Sequence, residues 1–107
     1  MSTFDKRGED FEKIFAHDAE LQFKATARRN RLLGLWAAGL LGLTGDAAAE
    51  YAQEIVKVDL QEVGDEDVFR KLRADFDAKG VAQSDHQIRR AMDEYLAEAV
   101  RQVKAEG

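Results

Sequence analysis

From Leu32 to Leu43 the chain reads LLGLWAAGLLGL, twelve residues without a charge and apolar on every side. A helix that is apolar all round has to be covered on more than one face. Twelve residues are also too few to cross a bilayer, which takes about 20. The stretch therefore predicts a helix standing at the centre of a small helical protein. The half upstream of it, AELQFKATARRNR (19–31), is the most basic part of the chain, with Lys24, Arg28, Arg29 and Arg31 against Glu20 alone.

The rest of the sequence supplies helices to surround that post. There is no proline, and Ala, Leu, Glu, Lys, Arg and Gln, all strong helix formers, are abundant. Alternating β-branched runs are missing, which leaves strands without support. The first helix runs over about 18–41 with Asp18 as N-cap. Leu21, Ala25, Leu32, Leu35, Trp36, Gly39, Leu40 and Leu43 form its expected apolar stripe. Gly34, Ala37 and Ala38 allow neighbours to come close, and Gly42 is a stop in the left-handed conformation. A second helix over about 45–60, entered at Thr44, has Ala48, Tyr51, Ala52, Ile55, Val56 and Asp59/Leu60 along its expected buried side. Its Glu50 and Glu54 repel at i,i+4 spacing, and Arg28, Arg29 and Arg31 are the cations expected to relieve them. Gly64 is a break and a candidate N-cap, with Val63 and Val68 as a hydrophobic staple. The third helix, about 65–79, buries Val68, Phe69, Leu72 and Phe76 and closes with Gly80 and Val81 as a Schellman cap. Ser84 to Gln87 is an S-x-x-Q capping box opening a fourth helix over about 85–104. Short connections make neighbours antiparallel. The fold class expected is all-α: a four-helix up-down bundle over 18–107, preceded by a flexible amphipathic arm over 1–17.

That leader has Phe4, Phe11, Ile14 and Phe15 as its large apolar side chains, at spacings that share one helical face. Acids and cations crowd around them, and Gly8 weakens an isolated helix by roughly 1 kcal/mol relative to Ala. A lone helix this short is marginal in water. Two readings stand: a leader that becomes helical only when something covers its phenylalanines, and a short first helix packed on the bundle.

Charge and motifs exclude several functions. A formal net charge of −5 argues against non-specific nucleic-acid binding, which draws on phosphate neutralisation. With no cysteine there is neither a disulfide framework nor thiolate chemistry. The N-terminus carries five charges before Phe11 and no apolar core of a signal peptide, so a cytoplasmic location is expected. Asp75 to Gly80 opens like a calcium loop, but Lys79 and His86 stand where carboxylates are needed. His17 and His86 lack ligand partners at metal spacing. Neither a phosphate-cradling glycine loop nor a nucleophile elbow is present. The chain is not expected to be an enzyme. The chemistry left is the phenylalanine leader, suited to docking in a groove, and the cations Lys24, Arg28, Arg29 and Arg31 above Trp36. Arginine clusters fit phosphate; the other reading is that these arginines are solvated or paired within the fold.

Three blocks, FAHDAELQFKATARRNRLLGLWAAGLLGLTG (15–45), GDEDVFRKLRADF (64–76) and SDHQIRRAMDE (84–94), resemble the zeta subunit, the ATPase inhibitor of alphaproteobacterial F-type ATP synthases. The resemblance spans essentially the whole chain. It implies a four-helix bundle with a mobile arm that blocks ATP hydrolysis by inserting as a helix between alpha and beta subunits of the catalytic head, near gamma. It also implies ADP or ATP as a regulatory ligand, and a cytoplasmic protein held at the inner membrane through the synthase, without inserting in it. The family's arm matches Ser2 through His17, so Phe4, Asp5, Arg7, Phe11, Ile14 and Phe15 are the partner-binding residues it implies. Lys24, Arg28, Arg29, Arg31 and Trp36 are the nucleotide-binding set suggested by chemistry alone. The alternative function is a nucleotide-sensing helical module without strong inhibitory activity; a third reading is a bundle that dimerises through its arm.

Overall fold

The computed structural model of the chain describes residues 19–61 and 65–106. They form α1 (Ala19–Leu40), α2 (Gly45–Gln61), α3 (Glu66–Lys79) and α4 (Asp85–Glu106), an all-α up-down bundle as expected. The leader residues, the N-cap expected at Asp18, and Val63 and Gly64 lie outside the described residues.

The turns follow from local chemistry. Gly42 has φ 79°, and the Leu43 amide donates to the Ala38 carbonyl at 2.8 Å, so α1 stops where glycine permits the left-handed turn. Gly80 does the same for α3 at φ 69°, with the Val81 amide donating to the Phe76 carbonyl at 2.8 Å. The capping box is closed in both directions: the Ser84 amide donates to Gln87 Oε1 at 2.8 Å, and the Gln87 amide to Ser84 Oγ at 3.1 Å. Asp65 is the N-cap of α3, yet its side chain caps nothing; it is engaged elsewhere, as described below.

The main core joins Leu33, Ala37 and Ala38 of α1 to Tyr51 and Ile55 of α2, Val68, Leu72 and Phe76 of α3, and Ile88, Ala91 and Met92 of α4. A smaller cluster at the other end of α1 holds Ala25 against Val100 and Val103 of α4. Helix α1 is the hub, packing most extensively on α2 and α4. Its approach to α2 is set by Gly34, where an added Cβ would stand 2.6 Å from the Ala52 Cα.

The phase of α1 differs from the expected stripe. Leu33, Gly34, Ala37 and Ala38 are buried, whereas Leu35 is 41% and Leu40 39% exposed and Gly39 is open to solvent. Leu21, Leu32, Trp36 and Leu43 are half-buried, and only Ala25 of the expected set is fully covered. A run that is apolar all round carries no phase information. The face turned inward is the one whose small side chains let another backbone come closest, and the bulky leucine at 35 is left outside.

Charge pairing differs too. The arginines of α1 do not relieve the acids of α2. Lys71 of α3 meets Glu54 at 3.4 Å and Asp75 at 3.0 Å, and Tyr51 donates its hydroxyl to the same Asp75 oxygen at 2.7 Å. The acid-bearing face of α2 looks toward α3, away from the basic face of α1. Burial first, then the hydrogen bond and charge of Asp75, push the Tyr51 hydroxyl far above its ordinary value. Burial pulls the Lys71 ammonium down, but Asp75 and Glu54 outweigh it and hold it above its ordinary value. Both groups keep their protons in the folded state at pH values where the unfolded chain gives them up. Their contribution is therefore complete below about pH 10 and lost as pH rises beyond it. Thermal melts between pH 8 and 11 are expected to show Tm falling above about pH 10, and Tyr51→Phe to flatten part of that fall; an unchanged slope in the variant would remove Tyr51 as its cause.

Candidate functional site

Of the cations on α1, each has a different fate. Lys24 is exposed and stands 3.4 Å from Glu20 one turn away, a surface pair of little energetic weight. Arg28 is half-buried and reaches the C-terminal end of α4, donating through Nη1 to Gln102 Oε1 at 3.0 Å and pairing through Nη2 with the Glu106 carboxylate. Arg29 is only 2% exposed; Nη2 donates to Asp65 Oδ1 at 2.7 Å, and Nε to the buried Asn30 Oδ1 at 2.6 Å. It is a fold residue, tying α1 to the start of α3, which explains why Asp65 leaves the α3 amides uncapped. Arg31 is exposed and makes neither a hydrogen bond nor an ion pair among the described residues.

Trp36 does not join this set. Its ring stands edge-on to Phe76 with centroids 5.7 Å apart and tilted to Tyr95 at 6.3 Å, on the side of α3 and α4. Five residues separate it from Arg31, about 140° around the helix.

Arg31 instead looks onto a furrow between α1 and α2. One part, of about 310 Å³, is lined by Arg31, Leu35, Ala49, Gln53 and Val56. The next, of about 420 Å³, is lined by Phe23, Lys24, Arg28, Arg31, Val56 and Glu106. Arg31 and Val56 belong to both, so the two are continuous. Phe23 is 61% exposed at one end and Leu35 41% exposed at the other. Neither is among the expected site residues, and Leu35 belongs to the expected buried stripe. Their signal is the i,i+4 row Phe23, Ala27, Arg31, Leu35, which becomes legible only once the inward face of α1 is known.

Among the described residues there is no group of three or more His, Cys, Asp or Glu side chains arranged to hold a metal ion, and no helix is long and apolar enough to cross a membrane. The expected leader contacts Phe4, Asp5, Arg7, Phe11, Ile14 and Phe15 lie outside the described residues. What is visible is where that leader enters: directly at Ala19, one turn before Phe23.

Residues 1–102 match the family described as ATPase inhibitor subunit zeta. The chain belongs to that family. Its role is accordingly regulatory, that of an ATPase inhibitor. The zeta-family match begins at residue 1, so the phenylalanine leader is part of the family pattern together with the bundle. A protein chain solved by solution NMR is 45% identical, with a TM-score of 0.71, over 81% of this chain and 99% of that one. No curated protein matches the sequence.

Proposed function

We propose that this chain is a stoichiometric, non-enzymatic inhibitor of ATP hydrolysis by the F-type ATP synthase, and that its leader is the inhibitory element. Phe4, Phe11, Ile14 and Phe15 form one apolar face when residues 1–17 become helical, and Asp5 and Arg7 supply polar contacts. The helix wedges into the catalytic interface between alpha and beta near gamma and keeps that interface from opening. The observation that carries this reading is the zeta-family match from residue 1 onward, over a leader rich in phenylalanine and charge and a bundle whose core is drawn from α1–α4. Burying three phenylalanine rings contributes roughly 5–8 kcal/mol gross, less several kcal/mol for ordering the leader. The balance supports reversible binding.

The test is ATPase activity of the purified catalytic head with the full chain and with a chain lacking residues 1–15. Full-length protein is expected to inhibit and the shortened one to lose inhibition; equal inhibition by both rules out the leader mechanism.

A second reading, ADP or ATP as a regulatory ligand, is favoured by one observation: Arg31 is an uncommitted guanidinium beside Lys24 and Arg28 in an open cleft. Arg29 is held by Asp65 and Trp36 by Phe76, so a phosphate site draws on Lys24, Arg28 and Arg31. Titration of the full chain with ADP is expected to move amide resonances around residues 24–31; none moving at millimolar ADP ends this reading.

A further inference from the structure

We infer that the bundle carries a second docking surface, the α1–α2 furrow, and that its partner is a surface helix of the catalytic head bearing a carboxylate between two apolar side chains. The inference rests on the inhibitor reading above and extends it from the leader to the body. Three observations carry it. Phe23, Leu35 and Leu40 are the large apolar side chains left exposed among the described residues, and two of the three border this one furrow. Between those two stands Arg31, exposed and unpaired among the described residues, in a chain where Arg28, Arg29, Arg73, Arg89 and Arg90 all meet carboxylates. An aromatic ring, an arginine and an aliphatic side chain flanking a groove match the composition of interface hot spots.

Position supplies the third observation. The leader joins α1 at Ala19, and Phe23 follows within about one helical turn. A leader held in a cleft therefore brings the Phe23 end of the furrow against the rim of that cleft. From Phe23 to Leu35 the row extends roughly 18 Å, the length of about three helical turns. Opposite Arg31 and Leu35 the wall, Ala49, Gln53 and Val56 of α2, is uncharged, and the acids Asp59 and Glu106 stand at the Phe23 end; a helix can lie along the uncharged part. The unpaired guanidinium selects a partner with an acid opposite Arg31.

The experiment measures the half-inhibitory concentration and the maximal inhibition of the catalytic head for full-length Phe23→Ser, Arg31→Glu and Leu35→Ser, beside the wild type and the chain lacking residues 1–15. All three positions are exposed, and thermal melts verify that each variant is folded. Phe23→Ser and Arg31→Glu are each expected to raise the half-inhibitory concentration at least tenfold while inhibition at saturation stays complete, because the leader still blocks. The wild-type value is expected to rise with salt, and that dependence to weaken in Arg31→Gln. If all three variants inhibit at the wild-type concentration while loss of residues 1–15 abolishes inhibition, the furrow is not a docking surface and the leader reading survives. If the shortened chain inhibits equally, the leader reading itself fails. Loss of ADP-induced amide shifts in Arg31→Glu with an unchanged half-inhibitory concentration assigns the furrow to nucleotide and overturns the inference.

Discussion

Replacing Gly34 with alanine is expected to destabilise the bundle by about 1–3 kcal/mol, lowering Tm by several degrees for each kcal/mol in a domain of this size. The sign is the informative part. Inside a helix, glycine to alanine ordinarily stabilises by up to about 1 kcal/mol, because alanine loses less backbone entropy. At Gly34 the new methyl would stand 2.6 Å from the Ala52 Cα and 3.2 Å from its Cβ and from Ile55 Cγ1. The first of these is backbone, which cannot swing aside as a side chain does. Helices α1 and α2 have to separate, and the core formed by Leu33, Ala37, Tyr51 and Ile55 loosens with them. Gly39 is the control in the same helix: a methyl there meets nothing within 4 Å, so Gly39→Ala is expected to be neutral or stabilising by up to about 1 kcal/mol. Urea unfolding of the two variants side by side decides the matter; a Gly34→Ala protein as stable as Gly39→Ala would mean that the α1–α2 distance is not set at this residue.

Asp65→Ala is expected to cost about 1–3 kcal/mol, less than removing one member of a fully buried ion pair because the Asp65 end is screened by water. Arg29 is 2% exposed and Asp65 about half exposed, so the two ends of the pair are not equivalent. Without Asp65 the guanidinium keeps its buried place and loses its counter-charge. Without Arg29 the carboxylate remains in water, and a methionine can fill much of the vacated volume. Asp65 is also then free to turn toward the first-turn amides of α3, which it now leaves uncapped, a gain of about 1 kcal/mol. That offsets the donor lost by the buried Asn30, itself about 1 kcal/mol. Arg29→Met is therefore expected to change stability by no more than about 1 kcal/mol, and Asp65→Ala to become mild when made in the Arg29→Met background. Equal costs for the two single variants, or simple additivity in the double, would show that Arg29 is not held by Asp65 in solution.

The close approach at Gly34 and the Arg29–Asp65 pair are features that sequence patterns reach only in part. That Gly34, Ala37 and Ala38 sit at a close helix approach follows from their size, and they do. The cap at Ser84, the stops at Gly42 and Gly80 and the inward face of α3 follow from local chemistry and from 3.6-residue spacing interrupted by charge. The inward face of α1 does not follow, because LLGLWAAGLLGL offers the same hydrophobicity in every direction and so fixes no angle. With that angle wrong, the cations of α1 are also wrongly aimed. Arg28 goes to α4 and Arg29 inward to Asp65, while Trp36 turns to Phe76 and Tyr95. Arg31 is left without a partner among the described residues, facing the cleft that Lys24 and Arg28 also line.

The division has a simple physical basis. Helices, caps and turns depend on interactions within a few residues, so the order of amino acids determines them directly, along with the family the chain belongs to. Which cation is buried, which is spent on a carboxylate and which stays available depends on where helices distant in sequence come to lie. Those choices were made by close packing around Gly34, where one missing methyl group lets α2 in and turns Phe23, Arg31 and Leu35 out along the open side of the α1–α2 junction.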